Sequence, residues 1–139
     1  RSRHMIYEWS KYKYLLSKVF QEVINTGMNM NYSDYIKAIT QTEKCRQDLD
    51  KIFDNVDVLI APCVDGEAPI GIEYAGNPRL PGLWTAVRLP SINLPTHIGP
   101  NGLPVSIQII GRYRADDRLL STSKWMLQKL GSPTLDLVS

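Results

Sequence analysis

Two short apolar runs separated by a turn-forming tetrapeptide constrain the fold of this chain more than any other feature. The runs are SINLPT at residues 91–96 and PVSIQIIG at residues 104–111, and GPNG at residues 99–102 lies between them. Glycine, proline and asparagine each suit the backbone angles of a tight turn. The pattern therefore predicts two neighbouring strands joined as a β-hairpin, with a wider connection as the open alternative.

Helical periodicity occurs on both sides of this pair of strands. Apolar residues at steps of three and four, together with capping and stop signals, predict helices over 7–25, 33–54, 83–87 and 116–130. Gly27 suits the left-handed turn that ends a helix, and Ser33 suits the N-cap of the next one. Pro90 prevents the brief third helix from continuing.

A third strand is predicted upstream of the hairpin. VDVLIAP at residues 56–62 is a short β-branched run stopped by proline, which favours a buried strand. Residues 63–81 are rich in glycine, proline and single charges, and they predict a long irregular loop. Helices with about three strands place the chain in the α/β class, as an α+β fragment.

Length and charge limit the class of protein. A chain of 139 residues suits one core. The opening RSRHM at residues 1–5 resembles an expression-tag remnant, which leaves residues 6–131 as the folded portion and 132–139 as a tail. Without Arg1 and Arg3, the 16 Lys and Arg become 14 and equal the 14 Asp and Glu. With no basic excess, nucleic acid is not an expected partner.

The cysteine content and hydropathy indicate a compartment. The chain has two cysteines, Cys45 and Cys63, and no apolar run near the ~20 residues that span a bilayer. We therefore expect no membrane association and a cytoplasmic location. One histidine outside the suspected tag, His97, and two distant cysteines cannot supply a clustered metal site. No metal and no cofactor are predicted.

Neither a catalytic triad nor a serine–lysine pair is predicted. His97 has no nucleophile-elbow sequence near it, and the SxxK pairs that begin at Ser10 and Ser121 lack the supporting elements of serine hydrolases. Two residues are candidates for substrate binding. Trp84 could wall a ligand pocket or fill the core. Arg88 could hold a carboxylate through its planar fork or lie on the surface.

The order of motifs resembles the C-terminal segment of the amidase-signature hydrolases over residues 35–131. The segments that carry the resemblance are VDVLIAP, Ala68-Pro69 with Gly71, LWTAVRLPSINLP, NGLPVSIQIIG and Asp116 to Leu120. Around Trp84 the pattern is closer to the small-molecule amidases and the allophanate-hydrolase-like branch than to the subunit of tRNA-dependent amidotransferases. Three positions depart from the family: Ser91 replaces a usual alanine, and Arg88 and Ser106 replace common glycines.

This resemblance implies an incomplete enzyme. Members of the family hydrolyse amides with a serine nucleophile, a second serine in a cis peptide and a lysine base, on a Gly/Ser-rich segment that has no counterpart in this sequence. No catalytic residue is therefore carried over. The chain would supply the last helices and about three strands of a mixed sheet, complete the substrate cleft for a small-molecule amide, and be inactive without the remainder of the amidase.

Two further expectations follow. Strands that have lost their neighbours expose backbone amides, so we expect self-association through the open strand edges. The alternative to an enzyme fragment is a free-standing binding or scaffolding module of the same ancestry, in which Trp84 and residues 63–81 hold a partner.

Overall fold

The computed structural model describes residues 2–72, 74–131 and 133. Arg1 of the suspected tag and, apart from Pro133, the predicted tail lie outside these residues. The chain divides into two compact units, residues 1–41 and 42–139. Within the described ranges, no helix is both long enough and apolar enough to cross a bilayer.

The first unit contains short helical elements rather than the single helix predicted over 7–25. A 3-10 turn at Ser2–Met5 precedes helix α1 at Ile6–Tyr12, a second 3-10 turn at Lys13–Leu15 and helix α2 at Lys18–Asn29. The single-helix prediction was wrong because Leu16 adopts an extended conformation, with φ −80° and ψ 141°. Ser17 then caps a new helix: its Oγ accepts a hydrogen bond from the backbone N–H of Phe20 at 3.3 Å.

Gly27 lies inside α2 and does not end it. A Cβ at this position would lie 2.0 Å from the Oγ of Ser2, so the glycine permits a close approach of the chain. Helix α3, Tyr32–Ile52, follows. Its cap is Asn31 rather than the predicted Ser33, because the Oδ1 of Asn31 accepts a hydrogen bond from the backbone N–H of Asp34 at 2.9 Å.

The second unit contains a three-stranded sheet. Strands β1, Leu59–Pro62, β2, Ser91–Ile98, and β3, Pro104–Ile110, are all antiparallel and have the order β1-β3-β2. The hairpin prediction is confirmed, and its turn is closed by a hydrogen bond from the Gly99 N–H to the Leu103 carbonyl at 2.8 Å. Strand β3 is central, while β1 and β2 form the edges of the described sheet.

The core lies on both faces of β3. Neighbouring residues on a strand point to opposite faces, and Ile109 and Ile110 are both fully buried. On one face, Ile110 packs with Phe53, Trp84, Val87 and Leu89. On the other face, Ile109 packs with Leu94 and Leu119.

Two helices of the second unit bring residues to these clusters. Helix α4, Arg79–Val87, supplies Trp84 and Val87, and it begins four residues before the predicted position. Helix α5, Asp116–Leu130, supplies Leu119 and has the predicted bounds. Both core clusters therefore depend on the same strand, which fixes the end of α4 and the start of α5 near the same end of β3.

Candidate functional site

An open depression of about 450 Å³ lies where α4 ends and α5 begins. Its volume is within the range of small-molecule sites. Thr85, Arg88, Leu89 and Pro90 line it from the α4–β2 segment, and Tyr113, Arg114 and Asp116 line it from the β3–α5 segment. The depression is therefore built by two connections that β3 holds in place.

Arg88 ends helix α4 in a left-handed conformation, with φ 60° and ψ 33°. Its backbone N–H donates to the carbonyl of Thr85 at 3.2 Å, and the N–H of Leu89 donates to the carbonyl of Trp84 at 3.0 Å. These two bonds define a Schellman motif, in which the left-handed position is usually glycine. A residue with a Cβ costs about 1–2 kcal/mol in this conformation.

Arg114 has the same left-handed φ of 60°. It lies in a turn closed by a hydrogen bond from the Ala115 N–H to the Arg112 carbonyl at 3.0 Å. Arg114 is the third residue of this four-residue turn, and a positive φ at that position favours glycine or asparagine. Arg88 and Arg114 are the non-glycine residues with positive φ among the described residues, and both line the depression.

The charges of these two arginines are not neutralised by ion pairs within the part of the chain that the structure describes. Arg112, between them in the chain, differs: its guanidinium donates two hydrogen bonds of 2.8 Å to Asp50 and lies 3.1 Å from Asp54. The bond from Arg112 holds the pKa of the Asp50 carboxyl below its usual range. Arg112 is therefore a structural contact between α3 and the β3–α5 segment.

Tyr113 positions Arg114 at the depression. The guanidinium carbon of Arg114 lies 5.2 Å from the centre of the Tyr113 ring, and that of Arg46 lies 4.3 Å from it. Both distances fall within the range of cation–π attraction. Arg46 also pairs with Glu43, so its charge is balanced, whereas that of Arg114 is not.

Trp84 lies behind the depression and not in its lining. The side chain is 9% exposed within the core cluster on the Ile110 face. Its indole Nε1 has no hydrogen-bond partner within the described chain, and neither does the Oε1 of buried Gln108. The Nε2 of Gln108 donates to the Oγ of Ser91 at 3.2 Å. The structure thus places Arg88 at the depression, whereas the Trp84 side chain lies in the core beneath α4.

The other nucleophiles and bases considered from the sequence are not brought together. The Oγ of Ser10 donates to the carbonyl of Tyr7, and that of Ser121 donates to the carbonyl of Asp117, each at 2.9 Å. His97 is exposed, with its Nδ1 3.0 Å from the Oγ1 of Thr96. Over the described ranges, no group of three or more His, Cys, Asp or Glu residues is arranged to hold a metal.

A second constellation was missed from the sequence. The Glu67 carboxylate, in the irregular loop, accepts hydrogen bonds from the backbone and side chain of Asn101 and from the backbone N–H of Leu103. Burial raises the pKa of this carboxyl, but the hydrogen bonds lower it more, so the net pKa is below the ordinary value. A lone glutamate in a loop gives no sequence signal for such a clamp.

Arg114, Tyr113 and Asp116 were also missed. The one available signal was the absence of glycine and asparagine from RYRADD at residues 112–117, where a strand must connect to a helix through a turn. That signal indicates only that some residue of this segment adopts a backbone conformation that glycine or asparagine would favour. It does not indicate which one.

The fold matches a segment of the amidase fold. Residues 3–120 match the Amidase family. A glutamyl-tRNA(Gln) amidotransferase subunit from Acinetobacter baylyi is 39% identical over 103 residues, which cover 68% of this chain and 21% of that protein. The chain belongs to the amidase family, and it spans about a fifth of the curated relatives it matches.

Solved structures give the same fold. A crystal structure described as an amidase superposes with a TM-score of 0.81 and 25% identity, over 94% of this chain and 32% of that one. A bacterial aryl acylamidase of the amidase-signature family superposes with a TM-score of 0.60 and 18% identity, over 91% of this chain and 31% of that one. The predicted family and the α/β fold class are both confirmed.

Proposed function

We propose that this chain is the C-terminal part of an amidase that hydrolyses carbon–nitrogen bonds of small amides. It completes the sheet and one wall of the substrate cleft, and it is inactive without the remainder of the amidase. The observation that carries the proposal is the superposition on about a third of a solved amidase, with a TM-score of 0.81. The hydroxyls of Ser10 and Ser121 each donate to a backbone carbonyl of their own helix and have no basic side chain as a partner within the described residues.

Arg88 and Trp84 have different parts in this proposal. Arg88 lines the depression, and in this proposal it contacts the substrate. Trp84 supports the wall from behind, since its side chain packs under α4 against the Ile110 face of the sheet. The Schellman hydrogen bond from Leu89 to the Trp84 carbonyl links the two roles, because it sets the direction in which the chain leaves the helix.

The proposal also covers the binding partners of the chain and its branch of the amidase family. The remainder of the amidase chain packs on the open edges β1 and β2, and without it these edges lead to self-association. Ile60 on β1 is 59% exposed, which supports an uncovered apolar face at this edge strand. We also assign the chain to the small-molecule amidases and the allophanate-hydrolase-like branch, and to the cytoplasm.

Reconstitution tests the proposal. The purified chain is assayed for ammonia release from acetamide, benzamide and glutamine, alone and after co-expression with the N-terminal two-thirds of the amidase that it superposes on. We expect no turnover alone and turnover of the small amides in the combined protein. Turnover by the chain alone would refute the proposal.

The same experiment separates the proposal from a free-standing binding or scaffolding module. A module needs no second polypeptide, so it would be stably folded without one and show no turnover in either preparation. That result would favour the module. Preference of the combined protein for glutamine over the small amides would instead contradict the branch assignment.

A further inference from the structure

We infer that the depression between α4 and α5 binds the anionic group of a ligand, a carboxylate, between Arg88 and Arg114. The inference rests on the proposed function, which it deepens by naming the group that Arg88 contacts as the carboxylate that hydrolysis of a small amide releases. Its test measures binding by this chain without any turnover. Failure of binding and failure of catalysis can therefore be told apart.

Backbone strain supports the inference. Both positions have φ near 60°, where glycine would cost less than any residue with a Cβ. Left-handed non-glycine residues concentrate at functional sites, where the surrounding structure holds them. In this chain two such residues lie in different connections, line one depression and carry the same side chain. A purely structural role at a helix end or in a turn does not require a guanidinium.

Charge supports it independently. Arg112, Arg46 and Arg118 are each paired with a carboxylate, whereas Arg88 and Arg114 have no such pairing within the described ranges. An arginine fork matches the two oxygens of a carboxylate and can bond both. Two forks at one depression thus favour an anion of this geometry.

The remaining lining limits the ligand. Asp116 contributes one negative charge against the two positive charges, so the charged lining has a net charge of +1. The Thr85 hydroxyl already donates to the Pro81 carbonyl at 3.0 Å and remains available only as an acceptor. Leu89 and Pro90 add apolar surface. The lining suits a small monoanion with an apolar body and a hydrogen-bond donor for Asp116 or Thr85.

Benzoate and benzamide are matched probes, because they share a ring and differ in charge. Binding to the full chain is measured by chemical-shift titration at low ionic strength for the wild type and for Arg88→Gln and Arg114→Gln. We expect benzoate to bind in preference to benzamide. We expect each substitution to weaken benzoate binding about tenfold, which is about 1.4 kcal/mol, because it removes a charged hydrogen-bond donor to the carboxylate.

Two further variants separate binding from folding. Arg88→Gly removes the side chain and also relieves the left-handed strain, so benzoate binding should weaken while the melting temperature is unchanged or raised. Arg79→Gln, at the first residue of α4, removes the same charge away from the depression and should leave benzoate binding unchanged. Equal binding of the two probes, or an equal loss in Arg79→Gln and Arg88→Gln, would overturn the inference.

Discussion

The carboxylate of Glu67 accepts a hydrogen bond of 2.9 Å from the backbone N–H of Leu103. Glu67 lies in the irregular loop after β1, and Leu103 ends the β2–β3 turn, 36 residues further along the chain. The two oxygens of the same carboxylate share the backbone N–H of Asn101, at 3.0 and 3.1 Å, and one of them accepts a bond from the Asn101 side chain at 2.6 Å. One side chain therefore ties the loop to the hairpin.

Glu67→Gln should lower the melting temperature at neutral pH, because the neutral amide accepts weaker hydrogen bonds than the carboxylate does. The folded-state pKa of Glu67 is depressed. Its contribution to stability is therefore complete above the unfolded pKa of about 4.3 and is lost as pH falls through the lower folded pKa. Thermal unfolding of both proteins across this range measures the effect.

Glu22→Gln is the matched control, since Glu22 is exposed on α2. It should show no such pH-dependent difference from the wild type. A gap between Glu67→Gln and the wild type that stays constant as the pH falls below 4 would contradict the role of the Glu67 carboxylate as the acceptor that holds the loop on the hairpin.

Gly99→Ala should disrupt the same clamp from the turn side. A Cβ at Gly99 would lie 2.5 Å from the Cδ, Cγ and Oε1 atoms of Glu67, closer than real contacts allow. The substitution should therefore destabilise the wild type more than it destabilises the Glu67→Ala variant. Denaturant unfolding of the double-mutant cycle gives the coupling energy. Strictly additive effects would show that the two residues act separately.

Much of the second unit could be predicted from the sequence. The hairpin follows from GPNG between two apolar runs, and the bounds of α5 follow from Asp116 at its start and Gly131 after its end. These signals are local: each depends on residues within one turn or one helix. The local signals agree with the tertiary structure because the predicted hairpin and the predicted α5 pack on each other: Ile109 of β3 and Leu119 of α5 lie in one core cluster.

The helix break in the first unit and most of the depression could not be predicted in this way. Leu16 and Ser17 fit the helical spacing of the apolar residues around them. A serine within such a pattern can lie inside a helix or cap the start of a new one, and the sequence does not distinguish the two. Arg114 comes to the depression through its backbone angle and through packing on Tyr113. Arg88 could be proposed individually, but its pairing with Arg114 requires the tertiary structure.

Two glycine-to-alanine substitutions should have opposite effects on the free energy of unfolding. Gly82 lies in α4, and a Cβ there would meet nothing within 4 Å, so Gly82→Ala should stabilise the chain by about 0.5–1 kcal/mol. Gly111 lies against α5, and its added Cβ would approach the Cβ of Leu119 to 3.0 Å. Gly111→Ala should therefore destabilise it by about 1–3 kcal/mol. Urea unfolding of both variants measures the two changes in the free energy of unfolding. Stabilisation by both substitutions would contradict the packing described for Gly111.

The edge strand β1 and the central strand β3 should differ sharply in their tolerance of truncation. Ile110 on β3 is fully buried among Phe53, Trp84 and Leu89, whereas Ile60 on β1 is 59% exposed. Ile110→Ala should cost about 2–5 kcal/mol, because it removes buried methyl groups and leaves a cavity. Ile60→Ala should change the free energy of unfolding by no more than about 0.5 kcal/mol.

If the chain self-associates through its strand edges, the Ile60 result depends on protein concentration. In a dimer that covers β1, Ile60→Ala would lower the melting temperature at high concentration and have little effect at low concentration. Ile110→Ala would lower it at both. A concentration series of thermal melts for the two variants therefore measures core packing and edge pairing separately. A large, concentration-independent effect of Ile60→Ala would show that β1 is covered within a single chain.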